Sequence, residues 1–134
     1  MITEARVEAG PRRTLTVLRS AAVLHTLAVL AQPLLAGVYL GGEVDALGMH
    51  ELNAHVTSGL GAIQLFCAIA FTWRGRGARW PVWTALAIVM AEQAQVGLGY
   101  QGMLAFHVPL GVMIVSTQLL SVVWLFRSVM ERPR

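Results

Sequence analysis

Four long apolar runs, separated by short polar segments, dominate the pattern of hydrophobic and polar positions along this 134-residue chain. Each run holds about 18 to 24 residues, and a helix needs ~20 residues to cross ~30 Å of hydrocarbon. The runs cover residues 20–40, 56–73, 81–98 and 103–126. The pattern therefore predicts an all-α integral membrane protein with four transmembrane helices.

The segments between the runs are short, which makes consecutive helices antiparallel neighbours. We therefore expect residues 15–127 to form one up-down-up-down four-helix bundle, between an N-terminal segment, 1–14, and a C-terminal tail, 128–134. The first run is longer than the apolar region of a signal peptide, so we expect it to be retained as the first span.

The basic residues lie on one side of the predicted membrane. All ten are arginines, and they are Arg6, Arg12, Arg13, Arg19, Arg74, Arg76, Arg79, Arg127, Arg132 and Arg134. The other two loops, 41–54 and 99–102, contain none, and the first carries Glu43, Asp45 and Glu51. Because short loops rich in arginine stay in the cytoplasm, we expect a bacterial inner (plasma) membrane protein with both termini cytoplasmic.

Composition supports a membrane environment and argues against a nucleic-acid partner. The chain is 56% hydrophobic and only 13% charged, with a mean hydropathy of +0.62, whereas soluble domains carry roughly a quarter charged residues. The formal charge of +3 and the pI near 10 come from arginines that flank the spans. The lipid bilayer is therefore the partner that the charge pattern predicts.

A weak internal repeat suggests two related helical hairpins. At an offset of 60, Gln32 matches Glu92, and the glycines of the first hairpin match those of the second at Gly37 and Gly97 and at Gly42 and Gly102. A histidine pattern follows each half. Few positions match, so duplication and chance both stay open.

The two histidine patterns, His55-Val-Thr-Ser-Gly59 and His107-Val-Pro-Leu-Gly111, open the second and fourth runs. Histidines in membrane helices are energetically costly and usually functional. Both lie near the outer surface on helices that are diagonal partners in such a bundle, and Gly59 and Gly111 follow one turn deeper. We expect His55 and His107 to ligate the iron of a haem, with the glycines leaving room for the macrocycle; the competing interpretation is two hydrated interfacial histidines.

Other polar residues are candidates for hydrogen bonding or proton transfer around this site. Glu51 lies four residues before His55 and is suited to orient its imidazole, while His50 is a candidate lid residue or proton carrier. Glu92, the only acid inside an apolar run, and Gln32 in the first run are candidates to bind the imidazoles or line a proton or quinone path, or to join helices. His25 has no histidine at its own depth, and we expect Gln64 and Gln118 as its polar neighbours.

Two motifs are excluded. His50-Glu51-Leu-Asn-Ala-His55 has one residue too many for the zinc-protease HExxH, because five residues rotate the second histidine by about 140° from the first. No CxxCH occurs, which argues against covalent attachment of haem. We assign no catalytic residue.

The stretch from Gln32 to Gln64, with an acidic outer loop followed by Glu51 and His55, resembles the four-helix half of bacterial haem A synthases. His107 matches the other histidine of that unit, and the resemblance covers residues 20–126. It implies haem b bound at His55 and His107. Haem A synthases have two such halves, whereas this chain has one, and a related family of small four-helix bacterial membrane proteins fits the same residues.

The leading prediction is that the protein binds haem b and transfers electrons, because two protein ligands leave the iron no open coordination position. A membrane redox partner, a quinone or a second copy of the chain are the partners expected with it. One alternative is a cofactor-free accessory subunit of a larger membrane complex. The other is a haem A synthase-like enzyme, or an enzyme or transporter with Glu92 and His25 as a proton relay.

Overall fold

The computed structural model describes residues 10–127, and these form four helices with no strand among them. The helices are α1 (Gly10–Leu40), α2 (Asp45–Trp73), α3 (Trp80–Tyr100) and α4 (Leu104–Arg127). The prediction of an all-α fold with four helices is confirmed. Residues 1–9 of the predicted N-terminal segment and the whole predicted tail, 128–134, lie outside the described residues.

The first two helices begin about ten residues before the predicted spans. α1 begins at Gly10 and α2 at Asp45, so the predicted outer loop 41–54 is reduced to residues 41–44. A hydropathy run marks only the strongly apolar part of a helix, whereas residues 45–55 mix polar and apolar side chains and are still helical. Asp45 lies in the first turn of α2, where its negative charge interacts favourably with the helix dipole. Both His50 and His55 therefore lie inside α2.

Each helix contacts two others, so that the four surround a common interior. α1 contacts α2 and α4, and α3 contacts the same two helices. Within residues 10–127, the backbones of α1 and α3 do not come close to each other, nor do those of α2 and α4. The two diagonals of the bundle are therefore α1 with α3 and α2 with α4.

Three of the helices are long and apolar enough to cross a membrane: α1 from Arg13, α2 and α4. α3 is not among these three, and it carries Glu92, Gln93 and Gln95 in its second half. Large apolar side chains are exposed around the bundle, including Leu27, Phe66, Val112 and others on each face. Contiguous exposed apolar surface of this kind suits contact with lipid.

The ends of α1 and α3 have the same capping structure, sixty residues apart. Gly42 and Gly102 both have positive φ, at 108° and 67°. After each glycine, the next N–H donates to the carbonyl five residues back, Glu43 to Val38 and Met103 to Leu98. This is the Schellman arrangement, in which glycine takes the left-handed conformation that other residues avoid. The offset-60 repeat therefore corresponds to a shared helix ending.

The interior has apolar clusters and a polar layer. One cluster contains Leu18, Ala22, Ala68, Ala85 and Leu125, and the other contains Val29, Ile88 and Ile114. The interior also contains a group of buried polar side chains from all four helices, which are His25, Thr26, Gln64, Glu92 and Gln118.

Arg19 caps the end of α4 and gives a test of the packing between α1 and α4. Its guanidinium donates to Leu125 O at 2.9 and 3.1 Å and lies 4.7 Å from the centre of the Phe126 ring. We expect Arg19→Ala to lower the free energy of unfolding by about 1 kcal/mol, because the last carbonyls of α4 lose a charged donor. Denaturant titration of the protein in detergent measures this.

Arg13→Ala is the matched control, because Arg13 is exposed on the same helix. Equal loss of stability in the two variants would contradict a capping role for Arg19.

Candidate functional site at the outer histidine pair and the central network

Two imidazole rings meet across the α2–α4 diagonal near the end of the bundle that contains the links 41–44 and 101–103. We call this end the outer end, after the predicted orientation. The rings belong to His50 and His107, with ring centroids 6.3 Å apart and planes inclined at 54°. Both side chains are partly buried. We call His50 and His107 the outer pair.

His50 is held by the turn of α1 that contains Gln32. Its Nδ1 lies 3.1 Å from the backbone oxygen of Gln32. The amide nitrogen of the Gln32 side chain, directed at α2, lies 2.9 Å from Nδ1 and 3.2 Å from His50 O, and its oxygen accepts from the Ala54 N–H at 2.9 Å. Nδ1 accepts from this amide when it is unprotonated and donates to the Gln32 carbonyl when it is protonated. Nearby, Asn53 donates to Ala28 O at 2.9 Å, which fixes α2 against α1 at the same level. Gln32 was a candidate partner of an outer imidazole, and the structure brings it to His50.

His107 is held by Gln95 through two reciprocal hydrogen bonds between α3 and α4. The imidazole Nδ1 lies 3.0 Å from Gln95 O, and the Gln95 side chain donates to His107 O at 2.8 Å. Gly99 lies against the ring, since a Cβ there would be 3.2 Å from Cε1 of His107. The glycine therefore makes room for the imidazole.

His55 lies apart from this arrangement. It is exposed, five residues after His50 on α2, and within residues 10–127 it makes no hydrogen bond or ring contact. Gly59 is also exposed, and a Cβ added there would meet nothing within 4 Å, whereas Gly111 faces the Gln95 amide. Shared ligation by His55 and His107 stays a prediction, and the observed ring contact favours His50 as the partner of His107.

Glu51 interacts with α3 at the outer end. Its carboxylate accepts a hydrogen bond of 2.5 Å from the hydroxyl of Tyr100, the last residue of α3. This hydrogen bond, followed by partial desolvation and the negative charge of Glu51, raises the pKa of the Tyr100 phenol. The contact ties the start of α2 to the end of α3 beside the outer pair.

A second polar group, the central network, lies deeper and consists of His25, Thr26, Gln64, Glu92 and Gln118. Nδ1 of His25 is 2.8 Å from Gln64 Oε1, and Nε2 is 2.6 Å from Glu92 Oε1. Gln118 donates to Gln64 Oε1 at 2.8 Å, to Thr26 Oγ1 at 3.1 Å and to Ala22 O at 3.2 Å. The expected proximity of Gln64 and Gln118 to His25 is confirmed.

The central network is almost fully enclosed, and two of its hydrogen bonds cross the diagonals of the bundle. His25 is 1% exposed and Glu92 4%. The contact of His25 with Glu92 joins α1 to α3, and that of Gln64 with Gln118 joins α2 to α4. A polar group in an apolar interior is costly without a partner, so these bonds favour one register of the four helices.

Sequence reasoning identified His25 and Glu92 and did not predict their direct contact. The sequence predicts Glu92 as a partner of the outer imidazoles, as part of a proton or quinone path, as a residue that joins helices, or as a proton relay with His25. In the structure its carboxylate bonds His25. Gly61 is the sequence feature that corresponds to this contact, because a Cβ there would lie 2.6 Å from Glu92 Oε2 and 3.2 Å from His25 Cε1. A glycine at mid-helix, level with two buried titratable groups, indicates that their side chains meet there.

We expect Gly61→Ala to destabilise the protein by about 1–3 kcal/mol, because the added methyl collides with a carboxylate that is hydrogen-bonded and enclosed. Gly59→Ala, two residues away on the same helix, is the control. It has open space around it and should be neutral or more stable by up to ~1 kcal/mol through helix propensity. Denaturant titration in detergent compares the two, and equal effects would contradict the close packing at Gly61.

In comparisons with known proteins, no family model matches the chain, and neither a curated protein nor a solved structure is found to be similar to it.

Proposed function

We propose that this chain is a multi-pass membrane protein that binds haem b between His50 and His107 and transfers electrons. The observation that carries the proposal is the outer pair itself, two imidazoles from diagonal helices with ring centroids 6.3 Å apart. A metal bonded to both Nε2 atoms at about 2 Å would separate the centroids by about 6 Å, once roughly 1 Å from each nitrogen to its ring centre is added.

The hydrogen bonds at the outer pair suit metal ligation. An imidazole that binds a metal through Nε2 carries its proton on Nδ1 and donates it to a carbonyl or carboxylate, which fixes the ring. Gln95 O lies 3.0 Å from Nδ1 of His107, and Gln32 O lies 3.1 Å from Nδ1 of His50. Ligation through Nε2 of His50 requires its Nδ1 proton to be donated to Gln32 O, with the Gln32 amide bonded to His50 O instead. Within residues 10–127, neither Nε2 has a hydrogen-bond partner, so both remain available as ligands.

The number of ligands favours haem over a bare metal ion. A protein site for zinc takes three or four side-chain ligands, and the described part of the chain groups no three of His, Cys, Asp and Glu in a way that holds an ion. Haem brings four nitrogens of its own and needs only axial ligands from the protein. A pair of histidines is therefore sufficient for haem.

The ligand pair also favours electron transfer over reactions of bound oxygen. Bound haem supplies one-electron chemistry, and two axial imidazoles leave no open position on the iron. The acidic side chains at this end, Glu43, Asp45 and Glu51, favour the oxidised, more positive centre and so lower its reduction potential. A membrane redox partner or a quinone is the class of molecule that would exchange electrons with such a site.

We infer that all four helices cross the membrane in up-down-up-down order, with both termini in the cytoplasm. Glu92, one of the three polar residues that lower the hydropathy of α3, is buried in the bundle and bonded to His25. α3 therefore has no need to expose this charge to lipid. The arginines at one end and their absence from the outer loops support the orientation.

Absorption spectroscopy tests the haem proposal directly. We expect the purified protein, expressed with haem available, to show reduced-minus-oxidised haem b bands. His50→Ala and His107→Ala should each lose most of the bound haem, because one axial bond is removed. His55→Ala is the matched control and should retain it, since His55 is exposed and outside the pair.

The three variants separate the hypotheses. A colourless wild-type protein that takes up no haem would refute haem binding and favour the accessory-subunit alternative. Loss of haem in His55→Ala with retention in His50→Ala would return the ligand to His55.

Gly99 offers a second test, because it shapes the space around His107. We expect Gly99→Ala to weaken haem binding by about tenfold, since the methyl would displace the imidazole by a few tenths of an ångström and strain the axial bond. Gly97→Ala is the control, with only the Gln101 amide at 4.0 Å. Haem titration followed by absorbance measures both affinities, and unchanged affinity in Gly99→Ala would contradict the assigned geometry.

A further inference from the structure

The hydrogen bonds of the central network determine where its protons lie. Gln118 donates to the carbonyl of Ala22, so the atom nearest that carbonyl is its nitrogen. The atom of Gln64 that lies 2.8 Å from this nitrogen must then be an oxygen. Since the same oxygen is 2.8 Å from Nδ1 of His25, Nδ1 must carry a proton and donate it.

The other ring nitrogen shares a proton with Glu92. Nε2 of His25 lies 2.6 Å from Glu92 Oε1, and two lone pairs cannot approach so closely without a proton between them. Whether the proton is closer to the ring or to the carboxylate, the His25–Glu92 contact contains one, and the pair is neutral overall.

The second carboxylate oxygen of Glu92, Oε2, accepts no hydrogen bond from the protein. Oε2 is buried and has no hydrogen-bond partner, and it faces the glycine gap at Gly61. A buried carboxylate oxygen without a donor is a costly arrangement that a second proton or a water molecule would relieve.

Two more unpartnered oxygens lie on the outer side of Glu92. Thr57 Oγ1 and Gln95 Oε1 are buried without partners. Thr57 is one turn from Gly61 on α2, and Gln95 is one turn from Glu92 on α3, both toward the outer pair. Gln95 also holds His107. The three unsatisfied oxygens therefore belong to Glu92 and to residues one helical turn nearer the outer end on α2 and α3.

We propose that the central network is a buried proton-binding site that exchanges with the outer end past Thr57 and Gln95, and that it takes up a proton at Glu92 when haem at the outer pair is reduced. The second part rests on the proposed function. An external one-electron reductant supplies the electron, and a proton from the outer aqueous side forms an O–H bond at Glu92 Oε2. The added positive charge offsets the added electron.

Few other charges act on this site. The other buried polar residues of the bundle are Thr26 from α1, Thr57 and Gln64 from α2, and Gln118 and Ser121 from α4, and none is ionised at physiological pH. Gln95, three residues after Glu92 on α3, is a neutral amide. Arg19, six residues before His25, is bonded to α4 carbonyls near the opposite end. Within the described residues, His25 and Glu92 are thus the titratable groups of the central network.

The pH dependence of the midpoint potential tests the coupling. If one proton accompanies one electron, each tenfold fall in proton activity lowers the potential by about 59 mV. We expect this dependence in the wild type and its loss in Glu92→Gln with haem content unchanged. Glu43→Gln, an exposed acid at the outer link, should keep it. A flat profile in the wild type, or an unchanged slope in Glu92→Gln, would overturn the coupling.

Infrared spectroscopy tests the proton site without haem. A carboxyl or carboxylate band that shifts in D₂O and disappears in Glu92→Gln supports an exchangeable proton, and a band that never exchanges overturns the site. Thr57→Val should slow the exchange several-fold, because the hydroxyl that would carry the proton is removed. Thr84→Val, whose hydroxyl bonds only Trp80 O of its own helix, should not. Equal exchange in both variants overturns the route past Thr57.

If the wild type binds no haem, the proposed function fails while the infrared result still decides the proton site. The amide introduced by Glu92→Gln has nearly the shape of the carboxyl group, and its N–H can donate to the unprotonated Nε2 of His25. Thr57→Val removes an unpartnered hydroxyl and leaves the packing in place, which keeps the test independent of folding.

Discussion

The hydrogen bond between His25 and Glu92 is the interaction on which the interior of this bundle depends. It joins α1 to α3 across a diagonal that backbone packing does not bridge, while Gln64 and Gln118 join the other diagonal. In an apolar medium, separating either pair leaves polar groups without partners, and this cost is larger than in water. The four helices therefore share one register, and the outer pair inherits its geometry from that register.

Much of the fold was predictable because membrane-length apolar runs have few structural solutions. A helix satisfies its own backbone in lipid, so four runs with short links predict four helices. The starts of α1 and α2 were not predictable from the same signal, because polar residues such as Asp45 and Asn53 continue a helix beyond its apolar part. The position of His50 within a helix depends on that continuation.

The sequence predicts most of the residues of the candidate site, but it does not predict which histidine of α2 meets His107. His107, His50, Gln32 and Glu92 were all identified from the sequence, but a five-residue spacing on α2 decides which histidine faces inward. Rotation of about 140° over five residues turns one of the two away from the interior. Hydropathy contains no information on that rotation, whereas the hydrogen bond from Asn53 to the carbonyl of Ala28 fixes it.

The two hydrogen bonds between Gln95 and His107 join the proposed haem ligand to the interface of α3 and α4. One uses the backbone oxygen of Gln95 and the other its side chain, so a displacement of α3 along α4 breaks both together. Binding of haem at His107, as proposed, and the alignment of α3 with α4 are then thermodynamically linked. Each raises the equilibrium constant of the other by the same factor. Binding of the proposed haem would consequently also stabilise the packing of α3 against α4, and would form part of the assembly of the bundle.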